Sequence, residues 1–187
     1  GKLVSIDVAR NAIVVGTDKR LIIVHKQNTK DTLFYIKKDD TSINKIFIDD
    51  SGTHIIASMV SGSNYYINCY QKSHNGISLN KLRGITIESI VWNNKKCSRT
   101  STGEILIGTF TGTICSLVIT DGKEKHFNKL YDLKTGLYGN NSKDNSNNNK
   151  KIMHAKGTSF RVCGLHVELL SQPIDYNKKK DPHSKLK

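Results

Sequence analysis

The feature that most restricts this chain is a recurrence. Runs of about five residues rich in Val, Ile, Leu and aromatics alternate with short polar turns, and the runs come in groups of four. The first group is LVSID, AIVVG, LIIVH and TLFYI. The second is NKIFID, HIIASMV, YYINCY and the weaker ISLNKL. The third is IESIVWN, EILIGTF, TICSLVI and HFNKLYDL. Ile6, Ile46 and Val91 sit at equivalent points, 40 and 45 residues apart. Nowhere does an apolar stripe of helical period persist long enough to predict a helix.

A four-stranded unit returning every ~40 to 50 residues has the period of a β-propeller blade, a small twisted sheet that buries its faces against its neighbours. The junctions VVGTDKRLIIV, ASMVSGSNYYI and LIGTFTGTICSL each set a short polar, mostly Gly-containing turn between two apolar runs, which suits a hairpin needing positive φ. Sandwiches and barrels also space their strands by 8 to 12 residues. Grouping in fours rather than in single hairpins favours the propeller.

The expected fold is therefore all-β: about three and a half four-stranded blades of a larger propeller. The blades span about 3–38, 44–82 and 85–133, and FRVCGLHVELL at 160–170 reads as the start of a further one. Between them, 139–157 is rich in Asn and Lys with almost no large apolar residue, a composition expected to stay disordered. Residues 171–187 form a basic polar tail. Three blades and part of a fourth do not close a ring, so the chain is expected to be a piece of a longer propeller.

Reactive chemistry finds little support. The chain lacks the G-x-S-x-G elbow, the G-x-x-x-x-G-K-[ST] phosphate loop and a G-x-G-x-x-G fingerprint. Asp7, Asp49, Asp50, Glu88 and Glu104 could supply paired carboxylates, yet Asp49-Asp50-Ser51-Gly52 and Asp39-Asp40-Thr41-Ser42 read as turns. His25, His54, His74, His126, His154, His166 and His183 form no i, i+4 pair and read as strand-end or surface residues. Cys69, Cys97, Cys115 and Cys163 lie 28, 18 and 48 residues apart without a C-x-x-C pair, so free thiols are expected. Neither a catalytic residue, a metal site nor a cofactor is expected. Trp92 reads as packing between blades rather than as a partner anchor.

The net charge is +13, which by itself would suit nucleic acid, anionic lipid or an acidic protein. Its distribution weakens the first reading, because 120–187 carry 14 Lys and Arg against 7 Asp and Glu. Lys19-Arg20, Lys37-Lys38, Lys95-Lys96, Lys150-Lys151 and Lys178-Lys179-Lys180 fall mostly in predicted turns, without interleaved aromatics for base stacking. No run of about 18 apolar residues and no secretory leader pattern is present, so the chain reads as soluble and intracellular.

Four ordered pieces carry a resemblance: KIFIDDSGTHIIAS at 45–58, NYYI at 64–67, KLRGITIESIVWN at 81–93 and STGEILIGTFTGTI at 101–114. Together they resemble the amino-terminal domain of the deep-orange family, the eighteenth vacuolar protein sorting subunit of the class C tethering complexes. With weaker frames on either side, the likeness covers roughly 3–170. It implies a propeller of seven-bladed type, followed in full-length members by an α-solenoid and a carboxy-terminal RING module.

The resemblance also implies a non-catalytic interaction domain of the HOPS and CORVET complexes, acting in tethering, docking and fusion. Expected partners are the other class C subunits and, through them, small GTPases and SNARE proteins. The expected place is the cytoplasm, peripheral on late endosome, lysosome or vacuole membranes. No family contact residue maps onto a motif here, so the partner-binding residues stay open. The alternatives are a basic propeller that binds RNA or anionic lipid directly, and a hydrolase whose Asp7, Asp49 and Glu88 would have to gather in a central funnel.

Overall fold

The computed structural model describes residues 1–71 and 74–133, together with the backbone of Gly136 and Leu137. The apolar runs form strands because their β-branched and aromatic side chains alternate between two faces. In β2 (Ala12–Thr17), Ala12 and Val14 are buried while Ile13 between them is exposed. With β1 (Leu3–Ala9), β3 (Leu21–Lys26) and β4 (Thr32–Tyr35), it makes an antiparallel sheet in sequence order. The second sheet follows the same order through β5 (Ile43–Ile48), β6 (His54–Met59), β7 (Asn64–Asn68) and β8 (Ile77–Ser78).

The third sheet contains β9 (Ile87–Val91), β10 (Ser101–Thr109), β11 (Thr113–Thr120), β12 (Lys123–Asp132) and a short β13 (Gly136–Leu137). A single 3-10 turn at Asn80–Leu82 is the one helical element among the described residues. Three up-and-down sheets, each led by one strand beside its neighbour's first strand, are the blades of a β-propeller. The fourth-blade strand, the Asn/Lys-rich insertion and the basic tail expected from the sequence lie outside the described residues.

Two cores separate the blades. Between the first and second sheets lie Val14, Val24, Phe34, Ile46, Ile55 and Met59, all buried. Between the second and third lie Ile56, Tyr66, Leu82, Ile87, Ile105 and Leu117. The middle sheet thus buries both faces, and β6 and β7 are buried at every residue. Expected equivalence of Val91 shifts by one: it is Ile90 that packs on the second core, opposite Ile107. A register irregularity between Gly108 and Thr109 has its equivalents in the other two sheets, between Leu3 and Ser5 and between Ile43 and Lys45.

The tight turns follow the sequence expectation. Gly62, at φ +81°, closes the β6–β7 hairpin by donating its N–H to the Met59 carbonyl at 3.0 Å, and Gly112 does the same for β10–β11. One end of each sheet therefore carries the first and third turns. The opposite end carries the second turn and the connection onward to the next blade.

Candidate interaction faces

On the first-turn end, Asp49 begins the turn between β5 and β6. Its Oδ1 accepts the Thr53 and His54 backbone N–H groups at 2.7 and 2.6 Å, and its Oδ2 accepts from Ser51 and from the Cys97 thiol at 3.4 Å. Burial works to raise this carboxyl, but the Ser51 hydroxyl and the two backbone donors outweigh it and hold it below the usual range. Turn chemistry, expected from the sequence, is present here and is fully enclosed.

His54 is the first residue of β6, one of the two expected placements, and is wholly buried rather than at the surface. Its Nε2 donates to the Ser98 carbonyl at 2.7 Å, so its Nδ1 accepts from the Tyr66 hydroxyl at 2.7 Å. Burial pushes the imidazole down against the pull of the Ser98 carbonyl and the Asp49 carboxylate, which keeps it neutral. Asn68 donates to the Arg99 carbonyl at 2.8 Å. The set locks the β9–β10 loop onto the second sheet. Asp49 and His54 both spend their polar atoms on protein partners.

The acidic residues do not gather. Asp7 accepts the Ile48 backbone N–H at 2.9 Å, stitching β1 to β5. Glu88 is buried and pairs with Lys45, which also donates to the Glu88 carbonyl at 3.2 Å and so stitches β5 to β9. Glu104 is exposed on β10. Among the described residues no group of three His, Cys, Asp or Glu side chains could hold a metal. Cys69, Cys97 and Cys115 are free thiols, with burial pushing Cys69 up to about 11 and Cys97 up to about 12. Trp92 is half-buried against the second core.

The basic clusters divide by what they touch. Arg20 is structural: it donates to the Asp39 carbonyl and to the Tyr35 hydroxyl, and lies over the Tyr35 ring at 5.5 Å. Lys37, Lys38, Lys95 and Lys96 are exposed, while Lys150-Lys151 and Lys178–Lys180 lie outside the described residues. Sequence reasoning missed Tyr70, exposed beside Lys26 at 5.0 Å and Arg99 at 4.4 Å, in the wall of a cleft of about 370 Å³. On the opposite end a cleft of about 340 Å³ lies between Lys38 and Arg83.

Three up-and-down antiparallel sheets, with their turns gathered at two ends, define a β-propeller architecture. Residues 1–162 match the Pep3/Vps18/deep orange beta-propeller domain, and the chain belongs to that family. It is 35% identical over 92 residues to the vacuolar protein sorting-associated protein 18 homolog of Danio rerio, covering 49% of this chain and 9% of that protein. Vacuolar sorting protein 18 of Arabidopsis thaliana is 29% identical over 142 residues, 71% of this chain and 14% of that protein. The vacuolar membrane protein pep3 of Schizosaccharomyces pombe is 34% identical over 93 residues, 46% of this chain and 10% of that protein. The chain thus spans a small part of these relatives' length. Among the described residues, no helix is long and apolar enough to cross a membrane.

Proposed function

We propose that this chain is a non-catalytic protein-interaction segment of a vacuolar protein sorting tethering subunit, serving vesicle tethering, docking and fusion at endosomes, lysosomes or vacuoles. The observation that carries the reading is the family match over 1–162. It is supported by the site chemistry: Asp7, Asp49 and Glu88 are each spent on holding backbone or a lysine. Partners would be the other class C subunits, and through them small GTPases and SNARE proteins. The protein would sit peripherally on the membrane through its complex and would use no cofactor.

In this reading the three sheets are consecutive blades of a larger ring, with a further blade beginning at 160–170 after the Asn/Lys-rich insertion at 139–157. The first sheet's outer face supports the larger ring, because Ile6 is 56% and Val8 65% exposed there, more apolar surface than a finished blade leaves in water. The test is affinity purification of the tagged full-length protein from its own cells at about 0.15 M salt. Recovery of other class C subunits is expected. Recovery of none of them overturns the proposal, and recovery of ribosomes and RNA-binding proteins instead would assign the role to the basic charge.

A further inference from the structure

The cleft on the second-turn end has features that the scaffold reading does not use. Its walls come from the β4–β5 connection (Lys38), the β6–β7 turn (Ser63) and the β8–β9 connection (Ser78, Asn80 and Arg83), with Tyr65 at its floor. Both cations are exposed at the rim, and no carboxylate lines the cleft. Asp39, next to Lys38, turns inward: it is buried and accepts from Thr41 and from the Ser61 hydroxyl at 2.8 Å. The lining thus carries two cations and no acid, with the Asp39 carboxylate held behind Ser63 and Tyr65 by the Thr41, Ser61 and Ser63 hydroxyls.

The cleft is also built rigidly. Asn64 is buried in its wall, and its Nδ2 lies 3.1, 2.7 and 2.8 Å from the Gly62, Leu82 and Ile85 carbonyls, which ties the turn to the connection. Gly84 donates to the Gly62 carbonyl at 3.0 Å. On the far side, Arg20 holds the Asp39 carbonyl and so fixes the backbone that carries Lys38. Cations on fixed backbone lose little freedom when they close on an anion.

We propose that this cleft receives a phosphorylated side chain from a protein partner, held between Lys38 and Arg83 with the Ser78 and Asn80 side chains as neutral donors. A phosphate has the charge and the three oxygens to engage separated cations, with Arg83 able to bind two of them. A peptide fits better than a membrane because the site is recessed between loops. Beside it, Val60 is 63% exposed on the same β6–β7 turn, placed to meet an apolar residue flanking the phosphate. The proposal stands on the cleft alone and does not require the tethering role.

The test uses the full-length protein and two degenerate nonapeptide libraries, one with a central phosphoserine and the other with serine. Retention of the phosphorylated library over its twin, at about 0.15 M salt, is the expected result. The double variant K38E/R83E should weaken retention by about tenfold or more, while K37E, an exposed charge reversal outside the cleft, leaves it unchanged. Equal retention of both libraries overturns the proposal, as does a preference that K38E/R83E leaves intact. A third arm offers vesicles of phosphatidylcholine with about a third phosphatidylserine. Vesicle binding that depends on Lys38 and Arg83, without a phosphopeptide preference, would assign the cleft to lipid and also overturn it. Circular dichroism and partner recovery by K38E/R83E separate a lost site from a lost fold.

Discussion

The first and second sheets are written in the same alphabet of short β-branched runs, yet one is half-open and the other is closed on both sides. β1 and β2 alternate between buried Val14 and exposed Val8 and Ile13, whereas β6 and β7 bury every residue. Strand propensity is similar in the two. Position in the stack differs, since the second sheet has a neighbour on each face and the first, among the described residues, has one. Apolar content on both faces of a strand therefore reports a place in a series rather than a stronger strand.

The comparison breaks most readily at Tyr66, which is fully buried and donates to His54. Tyr66→Ala should destabilise the second sheet by about 3–5 kcal/mol, read as faster hydrogen exchange of β6 and β7 amides in the full-length protein. If those amides exchange no faster in the variant than in wild type, the closed-sheet account is wrong. Next, Asp49→Ala should cost about 1–3 kcal/mol by leaving backbone donors unpaired, with the β9–β10 loop exchanging first.

Acid sharpens the same contrast. The folded His54 lies below its ordinary 6.5, so its contribution is complete above that value and fades as pH falls through the window beneath it. Asp49, held below 3.8, adds a second loss as pH falls through its folded value. Exchange of β6 and β7 should therefore accelerate on mild acidification in wild type. His54→Gln should remove the upper step and keep the lower.

A smaller effect tests the open face. Ile6→Thr with Val8→Thr should change stability by under about 0.5 kcal/mol if that face stays in water, and by about 1 kcal/mol or more per residue if another blade covers it in the full-length protein. The smallest concerns the thiols. With burial pushing Cys69 to about 11 and Cys97 to about 12, the smaller thiolate fraction should slow reaction with a disulfide reagent at pH 8 by about a hundredfold for Cys69 and about a thousandfold for Cys97, relative to a free cysteine.

The blade pattern was legible because it depends on period and turn residues alone: Gly62 and Gly112 stand where the hairpins need them. The third repeat was misaligned by one because Ile90 and Val91 are both apolar, and only their pairing with β10 shows that Ile90 is the one that packs on the core. His54 was unreadable for a different reason. Its partners are Tyr66, twelve residues on, and Ser98, forty-four residues on in another blade, so no local pattern announces its burial. The cleft between Lys38 and Arg83 was likewise hidden, because the pair appeared only as charges in two separate turns.

The contact between Gly62 and Gly84 bears on how this domain can diversify. A Cβ on Gly62 would come within 3.3 Å of Gly84, and both residues have positive φ. Lengthening or decorating either segment would pry them apart. At the opposite end the β9–β10 loop is held in the same way, because a Cβ on Gly103, also at positive φ, would come within 3.0 Å of the Lys96 backbone. Lineages would then be expected to vary both rims by exchanging side chains on a fixed frame rather than by insertion at these contacts.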